Sequence, residues 1–117
     1  MGGTIDYRIK HVGINNENDR QAQELADLLC RIFGQERVSE SPVSIFTGEI
    51  FEVMKHAKRG LHGHIALQTG DVEAAMDDLV QKGITFDEST IRRDENGKIV
   101  FIYLRQEFGG FAFHLTT

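Results

Sequence analysis

Four residues of this sequence, His11, Glu52, His64 and His114, have the types and spacing of a single metal-binding constellation. His11 begins the stretch His11-Val12-Gly13-Ile14 and His64 begins His64-Ile65-Ala66-Leu67, the two histidines standing 53 positions apart in a chain of 117. Each half then closes on a strand-like segment carrying one more donor, Glu52 between Phe51 and Val53 and His114 between Phe113 and Leu115. Three imidazoles and one carboxylate form a borderline N/O donor set that suits Zn, Ni, Co, Fe or Mn, whereas all-oxygen sites favour Ca or Mg. An ion so held could act as a Lewis acid, and Glu52 or His114 could move a substrate proton only if either loosens from the metal and comes within hydrogen-bond reach of that proton.

The elements that must position these residues repeat in the same order. Tyr7 to Ile14 alternates Lys10, Val12 and Ile14 against Ile9, His11 and Gly13, the period of a half-buried strand. From about Asn18 to Phe33, Ala22, Leu25, Ala26, Leu29, Ile32 and Phe33 recur at helical steps, and Gly34 stands where a left-handed C-cap belongs. Strands are predicted at Glu36 to Ser39, Val43 to Thr47 and Ile50 to Lys55. The second half gives a strand at Gly63 to Gln68 and a helix capped by Asp71, with Val72, Ala75, Met76, Leu79 and Val80 on its apolar face and Gly83 at its close. Strands follow at Ile84 to Ile91, Lys98 to Arg105 and Phe111 to Thr116, the first two joined by an Asn96-Gly97 turn of the tight hairpin type. The chain therefore reads as one α+β domain over residues 1–117, with two tandem βαβββ modules at about 5–56 and 62–117. The segment Ala57 to His62 joins them and is the expected mobile piece.

Strand parity places the four donors on a common face. Side chains two apart share a face, so Glu52 points away from Phe51 and Val53, His114 away from Phe113 and Leu115, His64 away from Ile65, and His11 away from Val12. The large apolar neighbours then pack toward the helices, and the polar four converge on the other side of the sheet.

Composition narrows the partners. A formal charge of −5 with interspersed Lys, Arg, Asp and Glu leaves no basic stripe, so nucleic acid is not an expected partner. No apolar run reaches the ~18 to 20 residues of a membrane span, and the opening residues lack the basic-then-apolar order expected of a signal peptide. Cys30 is the only cysteine, which excludes an intrachain disulfide and fits a buried thiol in a reducing, cytoplasmic setting. Met1-Gly2-Gly3-Thr4 reads as an added leader or the edge of an excised domain rather than a structured opening.

Other residues are weaker candidates. His56 and His62 match no module position and read as surface residues. Tyr103, Arg105 and Lys55 are within reach of a pocket from strand ends, although an exposed Arg or Lys is ordinarily a solvated charge. Phe101, Phe108, Phe111 and Phe113 read as packing residues, because no basic groove accompanies them.

These motifs resemble the vicinal oxygen chelate superfamily, which includes glyoxalase I, fosfomycin and bleomycin resistance proteins, methylmalonyl-CoA epimerase and extradiol dioxygenases. Lys10-His11-Val12-Gly13-Ile14 looks like its first-strand ligand motif, Gly63-His64-Ile65-Ala66-Leu67 like the second-module strand of glyoxalase I, and Ile50-Phe51-Glu52-Val53 like the strand bearing the carboxylate ligand. Gly109 to Leu115 resembles the last strand, with two departures: Phe108-Gly109 replaces an Asp-Pro lead-in and His114 replaces a Glu. The resemblance implies a curved mixed sheet around a central metal and a glyoxalase-type isomerase or lyase that binds a small substrate through two vicinal oxygens. In glyoxalase I the last-strand carboxylate is implied in proton transfer, so the Glu-to-His exchange argues against that particular activity. The alternative it implies is a non-catalytic domain that binds a metabolite or antibiotic. The whole-chain pattern also looks like a domain appended to some bacterial 2-dehydro-3-deoxyphosphogluconate aldolases, which would make an aldolase barrel a fused or associated partner. Members of the superfamily often pair, and open strand edges between the modules give a reason to expect a homodimer.

Overall fold

The computed structural model describes residues 4–117, and the opening Met1 to Gly3 lies outside the described residues. The elements run β1 (Arg8–Ile14), α1 (Asp19–Phe33), β2 (Arg37–Glu40), β3 (Ser44–Thr47), β4 (Phe51–Met54), then β5 (Gly63–Gln68), α2 (Val72–Gln81), β6 (Phe86–Arg93), β7 (Ile99–Phe108) and β8 (Phe111–Thr116). This is βαβββ twice over, and all eight strands form one curved mixed sheet in the order β2-β3-β4-β1-β5-β8-β7-β6. Within each half the first and last strands are parallel, β1 to β4 and β5 to β8. The halves join through the antiparallel β1–β5 pair. That pairing corrects the expectation of open edges between the modules: the inner edges are sealed, and the free edges belong to β2 and β6.

Each helix covers its own half of the sheet. Ala22, Ala26 and Leu29 of α1 pack on Ile45 and Val53, with Leu25 and Phe51 alongside. Val72 and Ala75 of α2 pack on Phe86, Ile102, Leu104 and Leu115. The helix starts are fixed by side chains: Asn18 accepts from the Gln21 amide and Asp71 from the Ala74 amide, while Gly34 takes the left-handed conformation that ends α1. Asn18→Ala should therefore lower stability by about 1 kcal/mol, read from urea denaturation.

Several expectations are corrected. Ile32 and Phe33 were expected on the core face of α1, yet they are 57% and 61% exposed. A helix of 15 residues is about 22 Å long, whereas β3 and β4 have four residues each and reach about 13 Å, and the buried residues of α1 end at Leu29. Val80 of α2 is likewise exposed, and Cys30 is only half-buried. The β6–β7 connection is not a two-residue hairpin. It spans Asp94 to Lys98, with the Gly97 amide donating to the Asp94 carbonyl and the Asp94 carboxylate accepting from the Asn96 and Lys98 amides. A type I′ turn would need positive φ at Asn96, and among the described residues only glycines have it. The connecting segment is tethered: Asn15 donates its side-chain amide to the carbonyls of Arg59 and Gly60, and the His62 amide donates to the Gly110 carbonyl.

Candidate metal centre

The register of five strands lays large and small residues out as a checkerboard on the face opposite the helices. In one row Glu52 pairs with Gly13, Gly13 with His64, and His64 with Ala112. In the next, His11 pairs with Ala66, Ala66 with His114, and His114 with Tyr103. Cross-strand partners share a face, so every donor has a small neighbour that makes room for it. At Gly13 the room is fully used: an added Cβ would fall 2.1 Å from Cε1 of His64. The expected parity holds, since Val53 and Leu115 are wholly buried on the helix side while Glu52 and His114 face away from it.

All four sequence-selected donors come together. His11, His64 and His114 offer ring nitrogens that all lie within 4.8 Å of one another. Glu52 joins through His64 and His11: its Oε1 is 3.0 Å from Nε2 of His64 and 3.4 Å from Nε2 of His11, and those two nitrogens are 3.3 Å apart. The edge of a tetrahedron with arms of 2.0–2.1 Å is about 3.3 Å, so this triangle has the size of a transition-metal coordination face. Hydrogen bonding alone serves it poorly, because two imidazole nitrogens face each other across one carboxylate oxygen. The buried Nδ1 of His114 has no hydrogen-bond partner among the described residues, a cost of about 1–3 kcal/mol when nothing compensates it. On donor chemistry and on geometry, the residues present fit a divalent transition-metal ion.

Electrostatics favours the same use. Burial would raise the Glu52 carboxyl, but hydrogen bonds from His11, His64 and Ser44 outweigh it and hold the group well below the usual carboxylate range. Burial, then the charges of His64 and His11, lower the His114 imidazole to about 3. Both are thus in the deprotonated state a ligand needs. The metal-free protein should lose stability as pH falls from about 6.5 toward 3, because the unfolded chain takes up a proton there that folded His114 refuses. Urea midpoints at pH 7 and pH 5 check this, and His114→Gln should flatten the difference.

Sequence reasoning missed the supporting residues. Ser44 donates its hydroxyl to the Glu52 carboxylate at 2.7 Å and is itself buried, which aims the second Glu52 oxygen. Partners of this kind are worth 10–100-fold in metal affinity, and Ser44→Ala should cost about tenfold by competition with a chromogenic chelator. Phe46 packs edge-on against His11 at 5.4 Å. Of the weaker candidates, Tyr103 is at the site, its ring 4.9 Å from that of His114, and burial raises its hydroxyl to about 12. Phe101 also belongs here, 4.4 Å from the His114 ring. Lys55 is elsewhere, paired with Asp19 and Glu40, and Arg105 bonds the Phe86 carbonyl. His56 and His62 are exposed, as expected. Phe113 packs with the α2 core, Phe108 lies against Phe113, and Phe111 against His62.

Arg59 of the connecting segment stacks over Tyr103 at 4.4 Å and pairs with Asp87 at 2.9 Å. Beside the cluster, and sharing Phe46 with it, a groove of about 500 Å³ runs along Ile9, Val38 and Ile50.

No family model and no curated protein matches the chain. Solved structures do match. A methylmalonyl-CoA epimerase solved with methylmalonyl-CoA and NH4+ is 19% identical, covers 94% of this chain and 93% of its own, and superposes with a TM-score of 0.66. The methylmalonyl-CoA epimerase from Mycobacterium tuberculosis is 17% identical over 92% of this chain and 85% of its own, at 0.65. A hypothetical protein from Bacillus halodurans C-125 is 13% identical over 95% and 94%, at 0.66. The chain therefore has the vicinal oxygen chelate fold, which it shares with these epimerases.

Proposed function

We propose that His11, Glu52, His64 and His114 hold one divalent transition-metal ion, and that the chain is an isomerase- or lyase-type enzyme acting on a small substrate with two vicinal oxygens. The observation that carries the reading is the convergence of donors from four strands: Glu52, His64 and His11 stand 3.0 to 3.4 Å apart, and His114 offers a ring nitrogen within 4.8 Å of those of both other histidines. When bound, the ion would supply Lewis acidity to a developing oxyanion, worth several kcal/mol. The Tyr103 hydroxyl, protonated at neutral pH, has no hydrogen-bond partner among the described residues and is suited to donate to a substrate oxygen beside His114. Glu52 and His114 are the groups within reach of a substrate proton. The methylmalonyl-CoA of a neighbour belongs in the first substrate panel, with small 2-hydroxy and 2-keto acids.

One observation favours the second reading, a binding domain that turns nothing over, whether free or beside an aldolase barrel. A carboxylate as acidic as Glu52 and an imidazole as hard to protonate as His114 are both weak bases at neutral pH. Deuterium exchange separates the two. In D2O with Zn, Ni, Co or Mn restored, an enzyme washes deuterium into the carbon beside the oxygens of a panel compound, and the exchange is lost in His114→Gln or Glu52→Gln. Binding without exchange selects the second reading, and neither binding nor exchange overturns both.

A further inference from the structure

We propose that Arg92 is a specificity-determining residue that binds an anionic group, a carboxylate or phosphate-type oxyanion, on a substrate held at the four-donor cluster. The inference rests on the function proposed above and names the substrate class that site would take.

The backbone of β6 is built to deliver Arg92 to the site. Asp87 pairs with Tyr103 and Arg92 with Phe101, so five steps along β6 match two along β7. The extra residues form a bulge held by Thr90, whose hydroxyl donates to the Asp87 carbonyl at 2.7 Å and accepts from the Tyr103 amide at 2.9 Å. Bulges of this kind re-aim side chains. Arg92 comes to lie over Phe101, as Arg59 of the connecting segment lies over Tyr103, each guanidinium carbon 4.4 Å from the ring centre. Both rings lie against the His114 imidazole, at 4.9 Å and 4.4 Å.

The two arginines differ in their counter-charge. Arg59 is neutralised by Asp87, whereas Arg92 makes no ion pair and no side-chain hydrogen bond among the described residues. An uncompensated guanidinium in a chain of net charge −5, set over an aromatic ring on an exposed residue, keeps its donor fork free for a ligand. That fork matches the oxygens of a carboxylate or phosphate. Its distance from the His114 ring is at most two 4.4 Å steps, a span that a small metabolite bridges.

Two probes with the same chelating head test the inference. Acetohydroxamate offers two vicinal oxygens and no further charge, and phosphonoacetohydroxamate adds a phosphonate. Titration calorimetry on the metal-loaded chain should show wild type binding the phosphonate probe at least tenfold more tightly. Arg92→Gln should remove that preference and leave acetohydroxamate within twofold, while Arg92→Lys recovers part of it. Equal affinities in wild type, or an equal loss for both probes in Arg92→Gln, would overturn the role of Arg92 alone. Failure of acetohydroxamate to bind wild type would overturn the reading of the site, and the inference with it.

Discussion

His64→Ala is expected to weaken Zn or Ni binding by about a thousandfold or more, beyond the 10–100-fold cost of losing an outer-shell partner. His64 is 4% exposed and stands between the other donors: its Nε2 meets Nε2 of His11 and Oε1 of Glu52. Its loss leaves a three-donor set missing the group that links the two halves. The protein should still fold, because His64 packs against the polar cluster and contributes nothing to either helix-side core. Competition with a chelator of known affinity reads the metal loss, and circular dichroism reads the fold. Unchanged affinity in the variant would remove His64 from the ligand set.

Gly13→Ala carries the second large effect, through space rather than backbone. Gly13 has no positive φ, so alanine fits its conformation. The added Cβ, however, would lie 2.1 Å from Cε1, 2.3 Å from Nδ1 and 2.7 Å from Nε2 of His64, so the whole ring must leave. We expect metal affinity to fall about 100-fold, with about 1–3 kcal/mol of stability lost to overpacking. Because the cause is a clash between two residues, the effects are not additive. Gly13→Ala combined with His64→Ala should regain stability while remaining unable to hold metal, a rescue that a backbone effect at Gly13 would not permit.

The repeated order of elements and the strand parity that turns His11, Glu52, His64 and His114 to one face were legible in the sequence, because each element announces itself by a local pattern. Alternation at Phe51-Glu52-Val53 and Phe113-His114-Leu115 states which side chain turns from the helices, and the buried Val53 and Leu115 agree. The small residues Gly13, Ala66 and Ala112 are equally visible, but their role depends on register across five strands, which no local pattern specifies. Ser44, Arg59 and Arg92 were missed for the same reason. Ser44 meets Glu52 only across the β3–β4 pair, where Phe46 and not Ser44 is its register partner. Arg59 lies in a segment read as mobile, where its contacts depend on Asn15 and Asp87. Arg92 is aimed by a bulge that Thr90 stabilises through hydrogen bonds, and regular alternation hides such an interruption. The end of α1 shows the converse limit: Ile32 and Phe33 continue the apolar period of the helix past Leu29, its last buried residue, and are exposed.

X-ray absorption on the protein loaded with one equivalent of Zn tests whether the four residues bind a single ion. Three imidazole nitrogens and carboxylate oxygen at about 2.0–2.1 Å are expected, with one imidazole fewer in each of His11→Ala, His64→Ala and His114→Ala. A spectrum with fewer than three imidazoles in wild type, or one unchanged by these substitutions, would contradict that binding.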